Sequence, residues 1–97
     1  MIVRIVKMTF EPSKVEEFLR NFENNKLAIR GFEGCQKLSL MKSAHSDNMF
    51  FTYSWWESEA ALNEYRKSDL FKGVWAKTKV LFIEKPEAWS LVNAIEL

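Results

Sequence analysis

Residues 48–56 read Asn-Met-Phe-Phe-Thr-Tyr-Ser-Trp-Trp, and this segment decides the fold that the chain is expected to adopt. It predicts a β-strand, because β-branched and aromatic residues dominate and neither Gly nor Pro interrupts them. Side chains alternate between the two faces of a strand, so one face carries Met49, Phe51, Tyr53 and Trp55, and the other carries Phe50, Thr52, Ser54 and Trp56. An antiparallel strand commonly has one face in water. Neither face here is mainly polar, so the segment predicts a strand that is covered on both faces.

The composition of the 97-residue chain is that of a globular protein with an excess of aromatic side chains. It is 47% hydrophobic and 28% charged, and its length predicts a single domain over residues 1–97. The chain has eight Phe, four Trp and two Tyr, and each such side chain buries roughly 150–250 Å² when it is packed. A core of this size does not need so many large rings, so some of them are expected to line a pocket or an interface.

The net charge and the scarcity of reactive residues argue against several classes of function. The formal net charge is +1 and no basic run occurs, which argues against nucleic-acid binding. The one cysteine, Cys35, and the one histidine, His45, exclude an intrachain disulfide and a Cys/His metal cluster. Residues 1–7 lack the apolar core of a signal peptide, and no stretch approaches the roughly 18 apolar residues of a membrane span. A cytoplasmic protein with no membrane partner is therefore expected.

Two elements are predicted before the first loop. Residues 1–10 are expected to form a strand that is apolar on both sides, like the central segment. A helix is expected over residues 13–28, because apolar residues recur there at the spacing of one helical face. Ser13 followed by Glu16 predicts a capping box at the start of that helix.

The remaining elements follow from turn residues and helix caps. Residues 35–43 are expected to form a strand that the turn-forming residues 44–48 join to the central strand as a hairpin. Ser58 is the predicted N-cap of a helix that runs to about residue 66. Ser68 offers a second N-cap for a helix that runs to about residue 80 or 82, and residues 89–95 are expected to form the last strand.

The order β-α-β-β-α-β predicts an α+β, ferredoxin-like fold with a four-stranded antiparallel sheet and helices on one face. Val3, Ile5 and alternate residues of the central strand then lie on the uncovered face. Leaving several of these side chains in water would forgo many kcal/mol, at roughly 25 cal/mol per Å² of apolar surface. Two sheets packed face to face would bury them, so the sequence predicts a homodimer that closes into an α/β barrel.

Four short motifs resemble those of the antibiotic-biosynthesis monooxygenase superfamily, whose members are dimeric α/β-barrel proteins. They are Glu-Pro-Ser-Lys-Val-Glu-Glu-Phe at 11–18, Gly-Phe-Glu-Gly-Cys at 31–35, Trp-Glu-Ser at 56–58 and Ser-Asp-Leu-Phe-Lys at 68–72. The resemblance covers nearly the whole chain and implies a pocket between helices and sheet in each subunit. Several relatives oxidise polycyclic aromatic substrates or quinols with O₂ and without metal or flavin, whereas others degrade haem and still others have no known reaction.

The resemblance also identifies functional residues of relatives that are absent from this chain. Haem-degrading relatives use an Asn, a Trp and a His at positions that fall on Val6, Tyr65 and Trp75, and all three residues differ. The resemblance therefore does not extend to haem degradation. Many cofactor-free relatives carry histidines at the positions of Tyr65 and Leu70, and neither is present. The usual acid/base group is missing.

Tyr65 is the remaining candidate for a catalytic role. Its phenol could donate a hydrogen bond to a substrate carbonyl, or accept a proton if its pKa were lowered well below the usual value of about 10. The alternative is a boundary tyrosine whose ring belongs to the core. Trp75 either stacks on a planar ligand or fills the space that a ligand occupies in relatives.

The predicted substrate pocket is lined by Val6, Phe22, Tyr65, Phe71 and Trp75. Arg4 shares a strand face with Val6 and could neutralise an anionic substrate, or it could be a solvated charge. Asn93 in the last strand could orient a ligand or bond only to its neighbours. A cavity well below about 300 Å³, the lower end of the range for ligand pockets, would argue against an enzyme.

Two main functions remain open at this point, and haem binding without turnover is a third, minor one. The first is a monooxygenase that needs no cofactor and acts on a small aromatic or quinol-type substrate. The second is a non-catalytic dimer of the same fold that binds a small hydrophobic ligand. Both involve a homodimer and a small aromatic or hydrophobic molecule as the expected partners.

Overall fold

The computed structural model describes residues 1–97 and contains four strands and three α-helices in the predicted order. The strands are β1 (Ile2–Thr9), β2 (Cys35–Lys42), β3 (Met49–Trp56) and β4 (Glu87–Leu91), and the helices are α1 (Val15–Arg30), α2 (Glu59–Lys67) and α3 (Asp69–Lys79). The strands form one antiparallel sheet in the order β2-β3-β1-β4. The predicted ferredoxin-like fold is confirmed, with residues 49–56 as an inner strand of the sheet.

The inner face of the sheet, which is the face that the helices cover, is packed most tightly at its two ends. One buried cluster lies where β3 ends and β1 begins, and it consists of Ile2, Ile29, Cys35, Trp56, Leu62 and Tyr65. The other lies where β1 ends and β3 begins, and it consists of Met8, Phe10, Phe18, Phe50 and Leu81. The rings of Phe10 and Phe18 stack at 4.1 Å between centroids. The helix layer is therefore held on the sheet by two separate packed ends.

The outer face, which is the opposite face of the sheet, is apolar but only partly buried. Trp55 is paired with Val3, and Tyr53 is paired with Ile5. Trp89 and Leu91 on β4 continue this surface and are 42% and 46% exposed. The Lys37 ammonium lies 4.8 Å from the centroid of the Trp55 ring and covers part of it. None of the three helices packs on this face, so its rings are left at the surface of the single chain.

The start of α1 differs from the prediction. Residues Pro12–Lys14 form a 3₁₀ turn and the α-helix begins at Val15. Because Pro12 occupies the first turn, Ser13 lies inside that turn and its hydroxyl approaches the Glu11 carboxylate at 3.5 Å. No side chain caps α1, so the predicted capping box is wrong. The helix also continues to Arg30, two residues beyond the predicted end.

The break between the second and third helices is confirmed. The Ser58 hydroxyl accepts a hydrogen bond from the Ala61 backbone N–H at 3.1 Å, as an N-cap of α2 should. Ser68 does the same for Phe71 at the start of α3, also at 3.1 Å. No helix in the chain is both long enough and apolar enough to cross a membrane.

A glycine and an irregular strand start bring β2 close to α2. Gly34 has a φ of 88°, which favours glycine, and a Cβ there would lie 2.5 Å from the Ala61 Cβ. The register of β2 shifts between Cys35 and Lys37. Strict alternation predicts Cys35 on the face opposite Leu38, but this bulge turns Cys35 into the inner-face core instead.

The last strand lies earlier than predicted. β4 spans Glu87–Leu91 rather than residues 89–95, and it starts directly after Pro86. Leu91 pairs with Val3, close to the first residue of β1, so the chain beyond Leu91 soon runs out of backbone partners. Asn93 therefore lies outside the sheet, in an exposed segment, and its predicted place in the last strand is wrong.

Candidate functional site

A cavity of about 330 Å³ lies between the helices and the middle of the inner face. Tyr65 and Trp75 form part of its wall rather than filling it. Its volume is at the lower end of the roughly 300–1,000 Å³ that ligand pockets enclose. The cavity is therefore not below the volume of about 300 Å³ that would argue against an enzyme.

The cavity exists because the middle of the inner face carries small or polar side chains. Between the two packed ends, Arg4 pairs with Ser54 on one side and with Ser90 on the other. Val6 is likewise flanked by Thr52 and Ala88. None of these neighbours is large enough to reach the helix layer, so the space above them stays open.

Aromatic side chains from two helices form one wall. The rings of Phe71 and Trp75 on α3 are nearly parallel, at 8° between planes and 6.1 Å between centroids. Tyr65 on α2 meets Phe71 edge-on at 5.3 Å. The break at Ser68 is what allows the two short helices to present these rings to the same space. Phe22 on α1 also borders the cavity.

Tyr65 is held at the inner end of the cavity by stacking on Trp56, with 4.9 Å between ring centroids. Burial raises the pKa of the Tyr65 phenol well above its ordinary value, and the nearby Cys35 thiol raises it further. Burial likewise raises the pKa of Cys35. Tyr65 therefore keeps its proton near neutral pH and can act as a hydrogen-bond donor, but the lowered pKa that proton acceptance requires is absent.

Two arginines share the cavity wall. Arg4 on β1 is half-buried and donates a hydrogen bond from Nη1 to the Ser90 hydroxyl at 3.0 Å. Burial lowers the pKa of Arg4, and the positive charge of Arg66 on α2 lowers it further. Both residues border the cavity. The carboxylate of Glu87 is directed to Lys7, which points to the outer face, at 3.9 Å.

The structure brings six of the seven predicted site residues to this cavity. They are Arg4, Val6, Phe22, Tyr65, Phe71 and Trp75. Asn93 is not among the lining residues, because it follows β4 in the exposed terminal segment. His45 is exposed in the β2–β3 hairpin loop and does not border the cavity. No three His, Cys, Asp or Glu side chains come together as a metal-binding group would require.

Arg66 borders the cavity but is not among the residues predicted from the sequence. It lies at i+4 from Leu62 and next to Tyr65, both of which are buried on the inner side of α2. A charged residue at that helical spacing could have been noticed as the polar edge of a buried stripe. Its place on the same cavity wall as Arg4 could not, because the two residues are far apart in the sequence.

One family model and several solved structures match the chain. A family model described as antibiotic biosynthesis monooxygenase matches residues 1–77. A solved structure described as an antibiotic biosynthesis monooxygenase is 14% identical, with a TM-score of 0.92 over 98% of this chain and 100% of that one. A conserved protein from Methanosarcina mazei Go1 is 21% identical, with a TM-score of 0.88 over 94% of this chain and 91% of that one.

A third similar structure is a mutant of SnoaB, described as a cofactor-independent oxygenase from Streptomyces nogalater. It is 14% identical and has a TM-score of 0.86 over 99% of this chain and 95% of that one. A search of curated proteins finds no match. At these identities the structures establish a shared fold, and the family model, which spans more than three quarters of the sequence, establishes the relationship. The chain belongs to the antibiotic biosynthesis monooxygenase family.

Proposed function

We propose that the chain is a cofactor-independent monooxygenase that acts on a small aromatic or quinol-type molecule in the cavity between helices and sheet. The observation that carries this proposal is the cavity of about 330 Å³ with an aromatic wall on α2 and α3. Membership of the family and the fold shared with a cofactor-independent oxygenase support the type of reaction. The volume suits a molecule of one or two rings rather than a large polycyclic one.

In this scheme the substrate supplies the electrons. An electron-rich aromatic anion reacts with O₂ so that a ring carbon forms a C–O bond and the O–O bond then breaks. One oxygen atom stays in the substrate, which is oxidised to a quinone, and the other leaves as water with the hydrogens that the quinol loses. The protein contributes a dry cavity and a fixed orientation. Phe71 and Trp75, which are parallel within 8°, define the plane against which a ring would stack. The Tyr65 hydroxyl would donate a hydrogen bond to the substrate oxygen on which negative charge develops.

The cavity offers no good proton acceptor. Tyr65 stays protonated because burial raises its pKa. Arg4 and Arg66 are cations, and Glu87 is turned toward Lys7. A substrate that reacts here must therefore be ionised already when it binds, or lose its proton to water at the open side of the cavity.

Oxygen consumption tests the proposal. Purified protein treated with a chelator should consume O₂ faster than buffer alone with at least one member of a panel of one- and two-ring hydroquinones. Isotopically labelled O₂ should deliver one labelled atom to the product, as measured by mass spectrometry. No increase over the buffer rate across the panel would contradict a monooxygenase.

A second candidate function is a ligand-binding protein without catalysis. It is favoured by the absence of histidine at the positions of Tyr65 and Leu70, where many relatives that use no cofactor carry one. This candidate predicts that aromatic molecules bind in the cavity and leave unchanged in the presence of O₂. Binding and turnover are measured separately, so the two candidates can be told apart.

We further propose that two copies associate through their outer faces. The surface centred on Trp55 and Tyr53 is apolar, and none of the three helices packs on it. Trp89 and Leu91 extend it to the edge strand at 42% and 46% exposure. A twofold pairing of identical sheets would bury both copies of this surface at once. Sedimentation analysis at micromolar concentration should give the mass of a dimer.

A further inference from the structure

The cavity described above is bordered by two arginines and by one acidic residue, Glu87, whose carboxylate lies 3.9 Å from the Lys7 ammonium and forms no ion pair with either arginine. Arg4 enters from the sheet and Arg66 from the end of α2. Neither arginine forms an ion pair, since the four ion pairs of the chain all involve lysines. The only protein group that accepts a hydrogen bond from Arg4 is the Ser90 hydroxyl, which is neutral. Most donors of the two guanidinium groups are thus free to meet a ligand.

We propose, building on the function proposed above, that Arg4 and Arg66 bind the ionised oxygen group of an aromatic ligand, a carboxylate or a phenolate. The ring of this ligand lies against Phe71 and Trp75, and its charged oxygen lies between the two guanidinium groups. Arginine is suited to this role because its planar group donates paired hydrogen bonds to oxygen anions. The ligand class is therefore a small aromatic anion rather than a neutral aromatic molecule.

Electrostatics favour this occupant. A half-buried guanidinium loses part of its hydration and is repelled by a second cation nearby, and both effects act on Arg4. An anion between the two groups removes the repulsion and replaces the lost hydration with charged hydrogen bonds. A neutral ring of the same shape would fill the apolar part of the cavity but leave the two cations unsatisfied.

Purely structural roles make different predictions. Arg66 lies in the last turn of α2, where a cation favours the helix dipole. Arg4 joins β1 to β4 through Ser90. If these were the only roles, replacing either arginine would change stability but would not change the preference of the cavity for charged over neutral ligands.

The first experiment compares ligands that differ only in charge. Binding of 2-naphthoate and of 2-naphthamide to the full chain is measured by quenching of tryptophan fluorescence and by calorimetry. We expect the carboxylate to bind about tenfold more tightly or better, since hydrogen bonds to charged groups are stronger than those between neutral groups. Arg4→Gln and Arg66→Gln should each weaken carboxylate binding about tenfold and leave amide binding nearly unchanged.

Matched controls remove a positive charge nearby without touching the cavity. Lys67→Gln changes the residue next to Arg66, and Lys72→Gln changes an exposed residue of α3 that does not border the cavity. Both variants should retain the preference for the carboxylate. Arg66→Lys should recover part of the affinity lost in Arg66→Gln, because the charge returns but the paired donor geometry does not. Arg66 is exposed, so its variants are expected to fold even if those of Arg4 do not.

A second experiment distinguishes the two sources of the anion. A nitrophenol changes colour when it ionises, so its absorption spectrum reports the form that is bound. If the arginines bind phenolates, wild-type protein should lower the pKa of the bound phenol, and Arg66→Gln should abolish that shift. If only carboxylates are bound, the naphthoate preference remains and the nitrophenol spectrum does not move.

The outcomes separate this proposal from that of a monooxygenase. Preferential binding of the anion without O₂ consumption supports the arginine site and contradicts the reaction. Turnover of hydroquinones that Arg4→Gln and Arg66→Gln leave unchanged supports the reaction and overturns the arginine site. The arginine site is also overturned if naphthoate and naphthamide bind equally, if neither binds below millimolar concentration, or if Lys67→Gln weakens naphthoate binding as much as Arg66→Gln does.

Discussion

The two faces of the sheet are built from the same strands and yet differ in what fills them. On the inner face, large side chains lie only at the ends of β1 and β3, around Trp56 and Phe10, and the middle is left open. On the outer face, rings such as Tyr53 and Trp55 occupy the middle and have no covering layer within the chain. The comparison shows that small and polar residues on the inner face create the cavity, whereas large residues on the outer face leave an apolar surface that the single chain does not cover.

The largest expected effect concerns the packed end of the inner face. Trp56 is 0% exposed, and its Nε1–H donates a hydrogen bond to the Ser54 hydroxyl at 2.9 Å. Trp56→Ala should lower the free energy of unfolding by about 3–5 kcal/mol, because it opens a cavity and leaves Ser54 without that partner. Unfolding in urea, followed by circular dichroism, measures the change. Such a loss approaches the whole stability of a small domain.

Trp75→Ala is the matched control for this prediction. Trp75 borders an existing cavity and is only partly buried, so its truncation should cost less than that of Trp56. Equal losses for the two tryptophans would break the distinction between the packed ends and the open middle.

The next effect concerns the outer face. Trp55→Lys places a charge at the centre of the surface proposed to pair with a second copy, beside Lys37. If the outer faces pair, the dimer should dissociate at micromolar concentration, since central aromatic residues of interfaces commonly contribute about 2 kcal/mol or more. Sedimentation analysis should show the change in mass. Leu27→Lys, at an exposed position of α1, adds the same charge elsewhere and should leave the mass unchanged.

A smaller effect is expected for the one catalytic candidate. Tyr65→Phe keeps the ring that stacks on Trp56 and removes only the hydroxyl. If Tyr65 donates a hydrogen bond to the reacting oxygen, kcat for hydroquinone oxidation should fall about tenfold, which corresponds to about 1.4 kcal/mol. Tyr53→Phe removes a hydroxyl from the outer face and should not alter kcat. An unchanged rate in Tyr65→Phe would exclude Tyr65 from the mechanism.

The sequence predicted the sheet well, because alternation and helix caps are local signals. The serines at 58 and 68 marked both helix starts, and the β-branched and aromatic residues of 48–56 marked β3. It failed where a single residue changes local geometry. Pro12 converts a predicted helix start into a 3₁₀ turn, and the bulge after Cys35 reverses the side on which that residue lies.

Part of the cavity lining was predictable because the spacing of apolar residues along a strand or helix is also a local signal. Val6, Phe22, Phe71 and Trp75 lie on apolar faces whose period can be read directly. The extent of β4 depends on where β1 begins, which no local pattern near Asn93 reveals. The approach of Arg66 to Arg4 depends on how α2 lies across the sheet, so only the folded chain brings these charges together.

The last prediction concerns how the free energy of unfolding depends on pH, which follows from the buried phenol of Tyr65. The effect is smallest near neutral pH and grows as the pH rises. Burial raises the pKa of Tyr65 in the folded chain, so the folded state holds this proton more tightly than the unfolded state does. The resulting stability is complete below the pKa of an unfolded tyrosine, about 10, and is lost as the pH rises toward the folded value. Wild type should therefore lose up to about 1.4 kcal/mol per pH unit above pH 10 from this group alone.

Tyr65→Phe removes the titrating group, so its urea midpoint should match that of wild type near pH 7 and fall less steeply above pH 10. Parallel curves for the two proteins at alkaline pH would mean that the hydroxyl reaches bulk water, and the cavity would then be wetter at its inner end than its lining implies.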